Sequence, residues 1–86
     1  MEIKIDVKYR SDNLQRIRKE AGLSQSQLAK AAGVKVQVLQ QYEQGVRDLN
    51  GAKLVTLLKL CNALGCRLAD IITDTETQEQ LRDYNK

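Results

Sequence analysis

Two helical segments meet at Gly33 with almost no chain between them. Upstream, Ser24 is placed to cap a helix, and Gln27 three residues later completes a capping box. Leu28 with Ala31 or Ala32 forms that helix's inner face, and Gly33 ends it. Val34 and Lys35 alone separate this end from a further helix, Val36 to Gln44, which Gly45 closes. So short a reversal needs a positive φ, which glycine adopts without steric cost. Val34 then falls where a buried side chain pins the two helices together. Whatever else the chain forms, these two helices must cross at a fixed angle.

Two short helices joined in this way make a helix-turn-helix candidate. In the second of them Val38, Leu39 and Tyr42 share one face. Gln37, Gln40, Gln41 and Gln44 lie at i, i+3, i+4 and i+7 and form an outward stripe of amides. A glutamine side chain both donates and accepts, so it can pair bidentately with N6 and N7 of adenine in the major groove. A carboxylate there would be repelled by phosphates, and a lysine would grip phosphate without reading sequence. Val36, at the start of the helix, suits contact with a thymine methyl. The plain alternative is a solvated helix, because glutamine has good helix propensity.

The remaining sequence reads as helices with short joints. Ser11 or Asp12 caps a first helix with apolar positions Leu14, Ile17 and Ala21, stopped by Gly22. A fourth helix is predicted from about Gly51 to Leu64, capped by Asn50, with Leu54, Leu57, Leu58, Cys61 and Leu64 as its core stripe. The segment LADII forms a fifth. With three tyrosines and neither Trp nor Phe, the core must be aliphatic. Residues 2–9 alternate apolar and charged side chains and read as a strand. It would pair most simply with the same strand of a twin subunit, or remain an unpaired arm. The polar tail from residue 74 is expected to be frayed or partly helical. The domain plan is therefore an arm over 1–10, a helical domain over 11–73 and a tail over 74–86.

Charge is unevenly placed. Residues 1–60 hold eleven Lys/Arg against six Asp/Glu, and residues 61–86 hold three against five. A basic body suits an anionic partner. No apolar run approaches the ~18–20 residues of a membrane span, and the first residues do not resemble a signal or transit peptide, so a cytoplasmic protein is expected. There is no His, no glycine-rich phosphate loop and no nucleophile–base pair, so catalysis, metal and cofactors are not expected. Cys61 and Cys66 read as small buried hydrophobes.

From Leu14 to Ile72 the sequence resembles the phage-repressor-like helix-turn-helix family of the xenobiotic-response-element (Cro/C1) type. The resemblance is carried by LSQSQLA, by YEQG and by LCNALGCRLADII. It implies an all-α, five-helix DNA-binding domain of the lambda-repressor kind, with helix 36–44 in the major groove. It also implies base contacts from Val36, Gln37, Gln40 and Gln41, and phosphate contacts from Ser24, Gln25 and Gln44. Gln25 is further implied to brace the reading helix, and Arg18 and Glu43 to form an internal salt bridge. Lys35 and Arg47 are assigned to the DNA backbone beside these.

Three positions depart from the family pattern. Lys35 stands where a Ser or Thr cap is usual, at a loss of about 1 kcal/mol of capping, and it sits at the positive end of the helix dipole. A lysine there makes sense if it meets a phosphate. Arg67 replaces a cap before the last helix, and Val36 replaces a polar residue at the start of the reading helix. The expected function is a sequence-specific double-stranded DNA-binding regulator, a repressor working as a homodimer, with the dimer contact made by strand 3–9 or by the fifth helix. The alternative is an antitoxin or adaptor whose acidic tail binds a protein partner.

Overall fold

The computed structural model describes Tyr9 and residues 12–85. Six helices follow one another: α1 (Asn13–Glu20), α2 (Gln25–Ala32), α3 (Val36–Gln44), α4 (Leu54–Leu64), α5 (Leu68–Ile71) and α6 (Thr75–Tyr84). Among the described residues there is no strand, and no helix is long and apolar enough to cross a membrane. The predicted strand lies outside the described residues except for Tyr9. That residue stands at a bend, and its N–H donates to the Gly45 carbonyl at 3.0 Å, beside the end of α3.

α2 packs on both α3 and α4, and α5 joins α4 to α1. Leu14, Leu28, Leu39, Leu60 and Ile71 are fully enclosed where these helices converge. Burying one such side chain stabilises the fold by about 1.5–3 kcal/mol relative to leaving it exposed. Tyr42 is the one aromatic among the described core residues, which are otherwise aliphatic apart from Cys61.

The buried face of α4 differs in phase from the predicted stripe. Leu57, Leu60 and Cys61 are buried, whereas Leu54 and Leu58 are 59% and 43% exposed. The run LVTLLKLCNAL has apolar residues all round the helix, so periodicity alone does not choose among its faces. On α2 the inner residues are Leu28, Ala29 and Ala32, and Ala31 is exposed. Ala21 is exposed too, because it stands just past the end of α1.

α4 also starts three residues later than expected, and Asn50 does not cap it. The Asp48 carboxylate accepts the Asn50 N–H at 3.0 Å, and two backbone turn bonds occupy residues 48–52. Asn50 instead reaches to the far end of the domain. Its Nδ2 donates to Thr73 Oγ1 at 3.0 Å, and its Oδ1 accepts from the N–H groups of Thr73 and Asp74 at 2.9 and 3.2 Å.

That clamp bears on the tail, expected to be frayed or partly helical, where Thr75–Tyr84 form a sixth helix of ten residues. No residue of α6 is buried, so packing does not account for it. Its start is fixed by polar contacts. The Asp74 carboxylate accepts from the Thr77 N–H and hydroxyl at 2.9 and 2.6 Å, and Gln78 Nε2 donates to the Ile72 carbonyl. Arg67, before α5, caps nothing with its own side chain. The Asp70 carboxylate accepts its N–H at 2.8 Å and supplies half of a capping box from the other side.

Both cysteines are free, Cys61 buried and Cys66 half-buried. Burial first, and the neighbouring Cys66 second, push the Cys61 thiol up to about 12, so it stays protonated at neutral pH. Asp74 is shifted the other way: the Thr77 hydroxyl and N–H hold its carboxyl below the ordinary carboxylate value. A depressed folded-state value stabilises α6 above the carboxylate range, and this is lost as pH falls through the folded value. Hydrogen exchange should therefore show α6 amides losing protection on acidification before those of α2 or α4. Asp74→Asn, which keeps an acceptor but cannot titrate, should remove most of that pH dependence.

Candidate nucleic-acid interface

The turn between α2 and α3 is closed by Gly33 at φ +68°, where Val34 N–H bonds the Ala29 carbonyl at 3.0 Å and Gly33 N–H bonds that of Lys30 at 3.3 Å. This is a Schellman closure, in which the residue after the glycine turns back onto the helix it leaves. Val34 accordingly packs against the core. At the other end of α2 the capping box is complete: Gln27 N–H donates to Ser24 Oγ at 3.1 Å and Ser24 N–H to Gln27 Oε1 at 2.8 Å. Both ends of α2 are thus fixed before α3 begins.

α3 is held from beneath by Arg18 and Glu43. Arg18 Nε donates to Glu43 Oε2 at 2.7 Å and Nη2 to Oε1 at 3.0 Å, a bidentate pair whose side chains are 8% and 1% exposed. The third guanidinium nitrogen, Nη1, donates to the Leu23 carbonyl at 2.7 Å and so fixes the α1–α2 joint. Glu43 Oε1 also accepts from Gln25 Nε2 at 3.1 Å, and Gln25 Oε1 accepts from Gln40 Nε2 at 3.3 Å. One network thereby ties α1, the α1–α2 joint, α2 and α3 together.

The four glutamines of α3 are not equivalent. Gln37 and Gln44 are exposed, with no side-chain hydrogen bond among the described residues. Gln40 is half-buried and tied to Gln25. Gln41 accepts from Arg47 Nε at 2.9 Å, and the Arg47 guanidinium lies 5.9 Å from the centre of the Tyr42 ring. Val36 is half-buried against the core, because the two-residue turn draws the first turn of α3 back onto α2.

Lys35 stands at the α3 N-cap with no side-chain cap bond. It lines one wall of an open groove of about 480 Å³ between the turn and the start of α4. Arg47, Lys53 and Lys59 line the same groove, with Asp48 its one acidic residue and Val38 and Tyr42 among its apolar ones. Lys53 and Lys59 carry no motif in the sequence. Only the folding of α4 against the turn brings them beside Lys35. The interface thus combines neutral hydrogen-bonding amides on α3 with cations in the adjoining groove, a pattern suited to base edges and phosphates.

Fold and site together define a helix-turn-helix DNA-binding protein. The helix-turn-helix family model matches residues 14–71, and the chain belongs to the helix-turn-helix family of the xenobiotic-response-element type, whose members are DNA-binding transcription regulators. Among solved structures it is similar to the crystal structure of the restriction-modification controller protein C.AhdI from Aeromonas hydrophila. The two are 31% identical, the match covers 71% of this chain and 88% of that one, and the TM-score is 0.64. The search of curated proteins finds no match.

Removing one partner of a buried pair leaves the other charge uncompensated, at about 3–5 kcal/mol. Arg18→Met or Glu43→Gln should each lower unfolding free energy in urea by an amount on that order. The double variant should lose clearly less than the sum of the two, since the second change removes the stranded charge.

Proposed function

We propose that the chain is a sequence-specific transcriptional repressor that binds double-stranded DNA as a homodimer in the cytoplasm, without catalysis or cofactor. α3 enters the major groove of each half-site, and the half-site centres lie roughly 34–36 Å apart on a palindrome. Gln37 and Gln41 read base edges, with Gln40 beside them and Val36 at the edge of the contact. Ser24, Gln25, Lys35, Gln44 and Arg47 meet the DNA backbone, and the groove that Lys35 lines adds Lys53 and Lys59 to that set. The observation that carries this is the row of amides on α3, with Gln37 and Gln44 exposed and Gln40 and Gln41 half-buried, on a helix held by a buried ion pair. A helix that only needed solvation would not require so rigid a support. The likeness to a restriction-modification controller protein supports a regulatory role of that general kind. The interaction-module alternative draws less support, since the tail meant to wrap a partner is a capped helix.

Selection of bound duplexes from a random library at near-physiological salt tests the proposal. A palindrome with half-sites one helical turn apart is expected, and no enrichment above background would contradict it. Gln37→Ala should cost about 1–3 kcal/mol on the selected site and relax preference at one base position. Lys35→Ala should weaken binding evenly across sequences and reduce the salt slope by about one. Equal loss on all DNA for Gln37→Ala would remove base reading from α3.

A further inference from the structure

Hydrogen-bonding polarity along α3 is set by groups that have no choice of role. The Glu43 carboxylate can only accept, so Gln25 must turn its NH₂ toward it, at 3.1 Å. Gln25 is then left with Oε1 facing α3, and Gln40 must donate its own NH₂ to that oxygen, at 3.3 Å. The Gln40 amide is thereby oriented with its NH₂ inward and its oxygen free for another partner. On the neighbouring residue the constraint is reversed. A guanidinium can only donate, so Gln41 must turn Oε1 to Arg47 Nε, at 2.9 Å, and its NH₂ is the end left free. Neither amide can be exchanged end for end without setting donor against donor or acceptor against acceptor.

We propose that Arg47 and the Glu43–Gln25 relay are positioning residues that give two adjacent glutamines opposite polarity: Gln41 offers a donor to DNA and Gln40 an acceptor. This rests on the base-reading role proposed above and specifies its chemistry. A donor end favours a base edge that offers acceptors alone, O6 and N7 of guanine or O4 of thymine, over adenine, whose N7 acceptor stands beside the N6 donor. The bidentate pairing with adenine needs both ends of the amide turned to one base, and Arg47 holds one end of Gln41 away. An acceptor end suits the exocyclic amines of cytosine or adenine, so Gln40 takes those if a base comes within its reach. Adenine readout through both amide ends is left to Gln37, whose side chain has no hydrogen-bond partner among the described residues.

The test compares duplex selections with the wild type, Gln41→Ala, Arg47→Met and Arg47→Lys. Gln41→Ala identifies the base position that Gln41 reads, as the one that relaxes. At that position the wild type should select guanine or thymine. Arg47→Met should raise adenine there on the order of tenfold relative to the wild type, and Arg47→Lys, which still donates, should restore the wild-type preference. Arg47 is exposed, so neither change threatens the fold. In the free protein, side-chain NH₂ protons of Gln40 should exchange more slowly than those of Gln41. Wild-type selection of adenine, an unchanged preference in Arg47→Met, or equal exchange at the two glutamines would overturn the polarity assignment and leave base reading standing. No position relaxed by Gln41→Ala would instead remove Gln41 from base reading, and the proposal with it.

Discussion

Arg18 and Glu43 form the interaction on which the rest of this molecule depends. A guanidinium and a carboxylate enclosed to 8% and 1% exposure are costly to desolvate, and the cost is offset by the number of bonds they make. Arg18 commits its three nitrogens to two places: Nε and Nη2 to Glu43 on α3, and Nη1 to the Leu23 carbonyl in the α1–α2 joint. Glu43 adds Gln25. A hydrophobic pair of the same size would fill the space but would not fix the rotation of α3 about its axis. Here two parallel hydrogen bonds set that rotation, and with it which side chains face outward.

The interface follows from this support and from the Gly33 turn. The turn sets the angle between α2 and α3, while the ion pair and the Gln25 relay set the register. What remains at the surface is a set of neutral amides, with Arg47 bonded to one of them and Lys35, Lys53 and Lys59 sharing with Arg47 the groove along the Val38 and Tyr42 side of α3. Neutral donors and acceptors discriminate among base edges, and the cations supply attraction that does not depend on sequence. The apolar face that α4 leaves uncovered at Leu54, Val55 and Leu58 lies on a different element.

Where the sequence was legible, the reason is local. Ser24 and Gln27 form their capping box within one turn, Gly33 must take its positive φ wherever the chain reverses so sharply, and the α3 boundaries follow from Gly45. Pairing of Arg18 with Glu43, 25 residues apart, follows from the family resemblance, since no local spacing brings the two together. What stayed hidden depended on contacts between distant elements. Leu60 and Leu58 are indistinguishable by type, and only the packing of α2 and α5 on α4 selects the first. Asn50 has the composition of a cap, yet its partners lie 23 and 24 residues away. The sixth helix has almost no apolar residues to announce it, since its order comes from Asp74, Asn50 and Gln78. The stripe of glutamines was visible, but its division into bound and free amides was not, because Arg47 and Gln25 approach from other segments.

The central claim is that the face of α3 turned outward by the Arg18–Glu43 pair is the face that meets DNA. Titration of the isotope-labelled protein with its selected duplex, followed through backbone and side-chain amide resonances, tests it most directly. The largest changes are expected at Ser24, Gln25 and Lys35 and along α3 from Val36 to Gln44, including the Gln37 and Gln41 side chains, with α6 little affected. Changes concentrated on α6 or on the exposed face of α4, with the α3 amides silent, would contradict it.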